Sequence, residues 1–166
     1  MQDLRGKTVL LTGASTGLGP HIARKLRQAG ARFVLSARNE PALQKLAKEI
    51  GESRVVVADL SKTGEPERLA IEAGDVDVLV SNAGVPISGR LAELALDKID
   101  RAIAVNLRAG IVLAHALAPS MVKRKQGHKA SLKFVAVAPG LAATIARSMG
   151  ATKVSDELGE RQKHKR

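Results

Sequence analysis

The chain has 166 residues, a formal charge of +11, 45% hydrophobic residues and 1% aromatic residues. That is enough chain for one domain with an aliphatic core, and enough apolar content to exclude disorder as the default. The absence of Cys excludes disulfides, thiolate metal centres and cysteine nucleophiles, and suits a reducing compartment.

The first half alternates short aliphatic runs with helical patterns. Lys7–Leu11 (KTVLL) reads as a buried strand. His21–Ala29 follows as a helix, with Ile22 and Leu26 four apart on one face and Gly30 as its stop. Arg32–Ser36 is a second strand. Pro41–Ile50 is a helix: Pro41 suits a first turn, Leu43, Leu46 and Ile50 form a stripe, and Gly51 ends it. Arg54–Ala58 and Val76–Val80 are the third and fourth strands. A long apolar helix runs from about Leu96 to Lys123, and Leu132–Val137 is a fifth strand. Strands alternating with helices predict an α/β fold, and right-handed crossovers make it a Rossmann-type doubly wound parallel sheet of order 3-2-1-4-5. No repeat or linker is visible, so residues 1–153 read as one domain and 154–166 as a charged tail.

After the first strand comes Thr12-Gly13-Ala14-Ser15-Thr16-Gly17-Leu18-Gly19, then a helix. Glycines in such a loop permit a tight turn, close approach of backbone N–H groups to a pyrophosphate, and packing of helix on strand. The helix N-terminus adds partial positive charge. Asp59-Leu60 stands after the third strand, Asn82-Ala83-Gly84 after the fourth, and Asn106 in the long helix. In this order and spacing the chain resembles the short-chain dehydrogenase/reductase family, strongly over residues 7–110 and weakly beyond.

The resemblance implies a dinucleotide site. Thr12, Gly13, Ser15, Thr16, Gly17, Leu18 and Gly19 would form its phosphate loop. Asp59 and Leu60 would sit against adenine, and Asn82, Ala83 and Gly84 on the ribose side, with buried strand-bracing as a rival role for Asn82. Asn106 would match the helix asparagine that organises a water for proton relay. At the end of the second strand an acidic residue would bind a free ribose 2′-hydroxyl, whereas this chain has Ala37 and then Arg38, with Ser36 as an additional donor. That favours NADP over NAD.

Catalysis reads differently. The family uses a tyrosine as proton donor, a lysine four residues later, and a serine on the fifth strand. Lys153 matches the lysine and also a nicotinamide-ribose contact. Met149 stands at the tyrosine position, the serine position falls near Ala136 or Val137, and the chain contains no Tyr. A thioether is no useful proton donor. His115 and His128 are weak substitutes, and no metal-binding cluster is visible. The expectation is a truncated or divergent member that binds NAD(P) and turns over little or nothing. Its rivals are an active NADP-dependent oxidoreductase with a non-standard donor and a basic interaction or nucleic-acid-binding protein.

The charge excess is local. Residues 101–155 hold nine basic residues and no Asp or Glu. Lys123, Arg124, Lys125, His128, Lys129 and Lys133 could neutralise phosphates, but no aromatics are interleaved for base stacking, so a solvated helix end is expected and nucleic acid is not. The helix stripe Ile103, Val105, Leu107, Ile111, Leu113 and Leu117 is expected to be covered by a second subunit or left partly exposed. With no signal-peptide pattern and no run of roughly 18 apolar residues, the expected place is the cytoplasm, with no membrane partner.

Overall fold

A computed structural model describes residues 3–86, 90–124 and 134–136. Five parallel strands form one sheet in the order β3-β2-β1-β4-β5. They are β1 (Thr8–Thr12), β2 (Arg32–Ala37), β3 (Ser53–Val57), β4 (Val78–Ser81) and β5 (Phe134–Ala136). β1 pairs Leu10 with Val34 on one side and with Leu79 on the other. The order agrees with the one the crossover rule predicts.

Helices cover both faces. α1 (Gly19–Gln28) and α2 (Glu40–Ile50) pack on one side, where Ala23, Leu43, Leu46 and Ile50 meet Val9, Leu11, Phe33, Leu35 and Val80. α2 starts where Asn39 accepts the Ala42 N–H at 3.0 Å, and ends at Gly51 with φ +64°. On the other face lie α3 (Glu65–Ala73) and α5 (Ala109–Arg124). Their Leu69, Ala70, Ala73, Leu113, Leu117 and Met121 bury Leu10, Val34, Val56 and Leu79. Each fully buried Leu contributes about 1.5–3 kcal/mol relative to exposure.

α3 has no counterpart among the predicted elements. The long predicted helix is also not one regular helix. α4 (Leu96–Ile103) passes through a π-helical turn at Ala104–Arg108 into α5. The single predicted stripe therefore divides in two. Val105, Leu113 and Leu117 are buried, whereas Ile103, Leu107 and Ile111 are 52%, 58% and 57% exposed. Positions 103, 107 and 111 repeat at four-residue spacing on one face, and 105, 109, 113, 117 and 121 on the sheet-facing side.

Two charge and hydropathy expectations also change. Arg124 is not a free phosphate-binding cation: its guanidinium pairs with Asp75 and donates to the Val76 carbonyl. The continuous helical run Leu96–Arg124 is 29 residues long with a window of mean hydropathy 1.5, long and apolar enough by composition to cross a membrane. Its sheet-facing residues belong to the protein core. The predicted residues Lys125, His128, Lys129, Lys133, Val137, Met149 and Lys153, and the tail 154–166, lie outside the described residues.

Candidate functional site

The carboxyl ends of parallel strands are where an open α/β sheet forms a crevice. Here a cavity of about 600 Å³ opens there. The phosphate loop supplies Gly13, Ser15 and Thr16, the end of β2 supplies Ser36, Ala37, Arg38 and Asn39, and the turn after β3 supplies Ala58, Asp59 and Leu60. Ala83, Gly84 and Val85 follow β4, and Arg101 and Val105 close the far side. Sequence reasoning missed Asn39, Ala58, Val85, Arg101 and Val105 as site residues. The four-residue spacing of Arg101 and Val105, on the turn leading to Asn106, is the signal that could have found the last two.

The loop glycines fit a ligand-approaching turn. A Cβ on Gly13 would stand 2.8 Å from Ala83 Cα and 2.9 Å from Ala83 N, so only glycine lets the loop meet the chain after β4. A Cβ on Gly19 would strike the Gly13 carbonyl and lie 2.7 Å from Ala14 Cα, which sets how closely α1 enters. Gly17 has φ +60° and nothing within 4 Å of a Cβ, so its side of the loop is open. α1 begins with no side-chain cap and a proline in its first turn. An uncapped first turn in a glycine loop suits an anion, and this is the fit of the chain to a dinucleotide phosphate.

Some predicted residues sit behind the cavity and not in it. The Thr12 side chain is buried, and its Oγ1 accepts the Asn82 and Ala83 N–H groups at 3.1 Å each. Asn82 Nδ2 donates to the Thr12 carbonyl at 3.2 Å and the Gly13 carbonyl at 3.1 Å. Asn82 is thus a brace between β1 and β4, its Nδ2 engaged by backbone, and the cavity lining after β4 falls to Ala83, Gly84 and Val85. Leu18 is exposed on the loop, and Leu18, Gly17 and Gly19 do not line the cavity. Ser36 lines it, but its Oγ is buried with no hydrogen-bond partner among the described residues. The hydroxyl is therefore not the exposed donor expected beside Arg38.

Asn106 is likewise engaged. Its Oδ1 accepts the Val85 N–H at 2.8 Å and its Nδ2 donates to the Val85 carbonyl at 3.0 Å. Sitting in the π-helical turn, it ties the loop after β4 to the helix. Ala136, near the predicted serine position, is in register with Ser81 at the carboxyl end of β4.

Asp59 carries the acidic charge of the cavity. Burial pushes its carboxyl up, but hydrogen bonds from Ser61 and the positive charges of Arg38 and Lys62 outweigh that and hold it below the ordinary aspartate value. Among the described residues no group of three or more His, Asp or Glu is placed to hold a metal ion.

Comparison with known proteins agrees with this geometry. The family model described as short chain dehydrogenase matches residues 7–131. The mouse (Mus musculus) dehydrogenase/reductase SDR family member 7B is 36% identical over 144 residues, covering 80% of this chain and 45% of that protein. A 3-oxoacyl (acyl-carrier-protein) reductase from Agrobacterium tumefaciens, solved with NADP bound, superposes with a TM-score of 0.70 at 34% identity, covering 75% of this chain and 51% of that one. A 3-ketoacyl-(acyl-carrier-protein) reductase from Brucella melitensis, complexed with NADH, gives a TM-score of 0.65 at 32% identity over 70% and 50% of the two chains. The chain spans about half the length of these relatives. With the family model covering most of its length, a parallel sheet in the predicted order and a crevice beside the Gly13 loop at the strand ends, the chain belongs to the short chain dehydrogenase family.

Proposed function

We propose that this chain binds an adenine dinucleotide in the crevice, prefers NADP to NAD, and contributes little hydride transfer of its own. The observation that carries the reading is one cavity lined by the Gly13–Thr16 loop, Arg38 and Asp59. The loop amides and the uncapped start of α1 would hold the pyrophosphate. Ala37 leaves the 2′-position without a carboxylate, and Arg38 supplies a cation for a 2′-phosphate. Asp59 and Leu60 would form the adenine end, and Ala83 and Gly84 the ribose side.

The nicotinamide of such a cofactor supplies hydride chemistry; proton transfer to the substrate oxygen falls to the protein. Met149 stands where the family's tyrosine is expected, and no tyrosine occurs in this chain. Loss of a positioned proton donor typically forfeits on the order of 10²–10⁴ in rate. Asn106 and Lys153 would remain as family-type groups without the donor they serve. A second reading, an active reductase with another donor, is favoured by the reductase names of the similar solved proteins.

Fluorescence titration with NADPH and NADH, followed by a screen of NADPH oxidation over mixed aldehydes and ketones, separates these. Saturable NADPH binding with negligible turnover is expected. Turnover at ordinary enzyme rates selects the second reading, and silence at millimolar cofactor refutes both. The exposed Ile103, Leu107 and Ile111 face is proposed to be covered by a second copy of the chain. Sedimentation of Leu107→Glu as a smaller species than the parent protein tests that. Leu96–Arg124 is proposed to be a core helix and not a membrane span, resting on the burial of its sheet-facing side in the core; the cytoplasm is the location proposed for such a chain.

A further inference from the structure

Two residues of α3 hold the Asp59 turn from behind the cavity. Glu65 is the first residue of that helix, and its Oε2 accepts the Asp59 backbone N–H at 3.2 Å. Arg68 grips the same carboxylate from the other side: Nε donates to Oε1 and Nη2 to Oε2, each at 2.8 Å. Nη2 also donates to the Val57 carbonyl at 2.7 Å, at the end of β3. Nη1 reaches Glu72 one turn on. One carboxylate and one guanidinium thus tie together the end of β3, the turn after it and the first two turns of α3.

The tie lies next to a partly committed group. Asp59 Oδ1 accepts the Ser61 hydroxyl at 2.7 Å and the Ser61 N–H at 3.1 Å, which fixes the side chain as a tight local turn. Oδ2 has no hydrogen bond to any described residue. Glu65 and Arg68 line no part of the cavity.

We propose that Glu65 and Arg68 are positioning residues for nucleotide recognition, holding the Asp59 backbone so that its carboxylate is presented to the exocyclic amine of an adenine. This rests on the dinucleotide reading above, which already sets Asp59 against the adenine, and adds to it what holds Asp59 there. A carboxylate is an acceptor only. It rewards the 6-amino group of adenine and gives nothing to the 6-oxo group of hypoxanthine. Discrimination therefore depends on where Asp59 sits: Ser61 fixes the side chain on its own turn, and Glu65 and Arg68, outside the cavity, fix that turn against β3 and α3.

The test is isothermal titration of ADP and inosine diphosphate into the full chain, its Glu65→Ala, Glu65→Gln and Asp59→Ala variants, and the Asp59→Ala/Glu65→Ala double variant. The parent is expected to prefer ADP. Glu65→Ala should weaken ADP about fivefold, the equivalent of one hydrogen bond, while inosine diphosphate stays within about twofold. Glu65→Gln keeps an acceptor for the Asp59 N–H and should recover most of the ADP affinity. In the Asp59→Ala background, Glu65→Ala should have no further effect. Equal weakening of both nucleotides, or additive effects in the double variant, overturns the proposal while leaving the cofactor reading intact. Failure of the parent to bind ADP or NADPH overturns the cofactor reading itself. Amide hydrogen exchange at Asp59 judges the tie without any nucleotide: faster exchange in Glu65→Ala is expected, and unchanged exchange overturns the tie.

Discussion

Replacing Gly13 by alanine tests how the phosphate loop is held. Gly13 has φ +64°, a left-handed backbone that costs other residues about 1–2 kcal/mol. The new Cβ would lie 2.8 Å from Ala83 Cα, whereas carbon contacts prefer about 3.5–4.0 Å. The obstacle is backbone, pinned by the Asn82 and Thr12 bonds, so it yields poorly. Overpacking of this kind adds about 1–3 kcal/mol. Together the loss is about 2–5 kcal/mol. Gly17→Ala is the control: its φ is +60°, but its Cβ meets nothing within 4 Å, so only the backbone cost of about 1–2 kcal/mol applies. Urea unfolding followed by circular dichroism, with m-values compared, reads both. Gly13→Ala should shift the midpoint clearly further than Gly17→Ala at similar m. Equal shifts would show that the loop does not press on the chain after β4, and the brace argument would fall.

Other outcomes follow from the same structure. Arg38→Asp should weaken NADPH by tenfold or more, on the order expected for a charge-assisted hydrogen bond, and spare or improve NADH; equal affinities in parent and variant would remove Arg38 from the site. Leu113→Ala should cost about 3 kcal/mol, because Leu113 is fully buried, whereas Ile111→Ala should stay within about 0.5 kcal/mol at concentrations where the chain is monomeric. Similar losses in chemical denaturation would mean the two faces of the helix are misassigned. For pH, the Arg68 hydrogen bonds hold the Glu65 carboxyl down from 4.5 to about 2. The folded state thus favours the ionised form, so this contribution is complete above the unfolded value and disappears as pH falls through about 2. Acid unfolding curves should be less steep in that window for Glu65→Gln; identical curves would contradict the pairing.

Much of the fold was legible because hydrophobic runs and glycine stops mark it locally. KTVLL, RFVLS and the two flanking helices each show one period and one terminator, and the crossover rule then orders the sheet. α3 escaped because its start is charged and its buried set (Pro66, Leu69, Ala70 and Ala73) is small, a weak periodic signal. The π-helical turn at Ala104–Arg108 escaped because it alters periodicity by one residue: 103, 107 and 111 and 105, 113 and 117 appear as one stripe until the backbone separates them. In the site, Gly13, Arg38 and Asp59 could be read from position relative to strands. Asn82 as a brace, Asn106 as a clamp on Val85, and the Glu65–Arg68 tie depend on side chains meeting backbone from distant or offset segments, which no local pattern encodes.

The most direct measurement is a crystal structure of the chain grown with NADP. It should show the pyrophosphate against the amides of the Gly13–Gly19 turn at the start of α1, the 2′-phosphate on Arg38 and the adenine between Asp59, Leu60 and Val105. Nucleotide bound elsewhere, or an ordered crevice that stays empty at saturating NADP, would contradict the account.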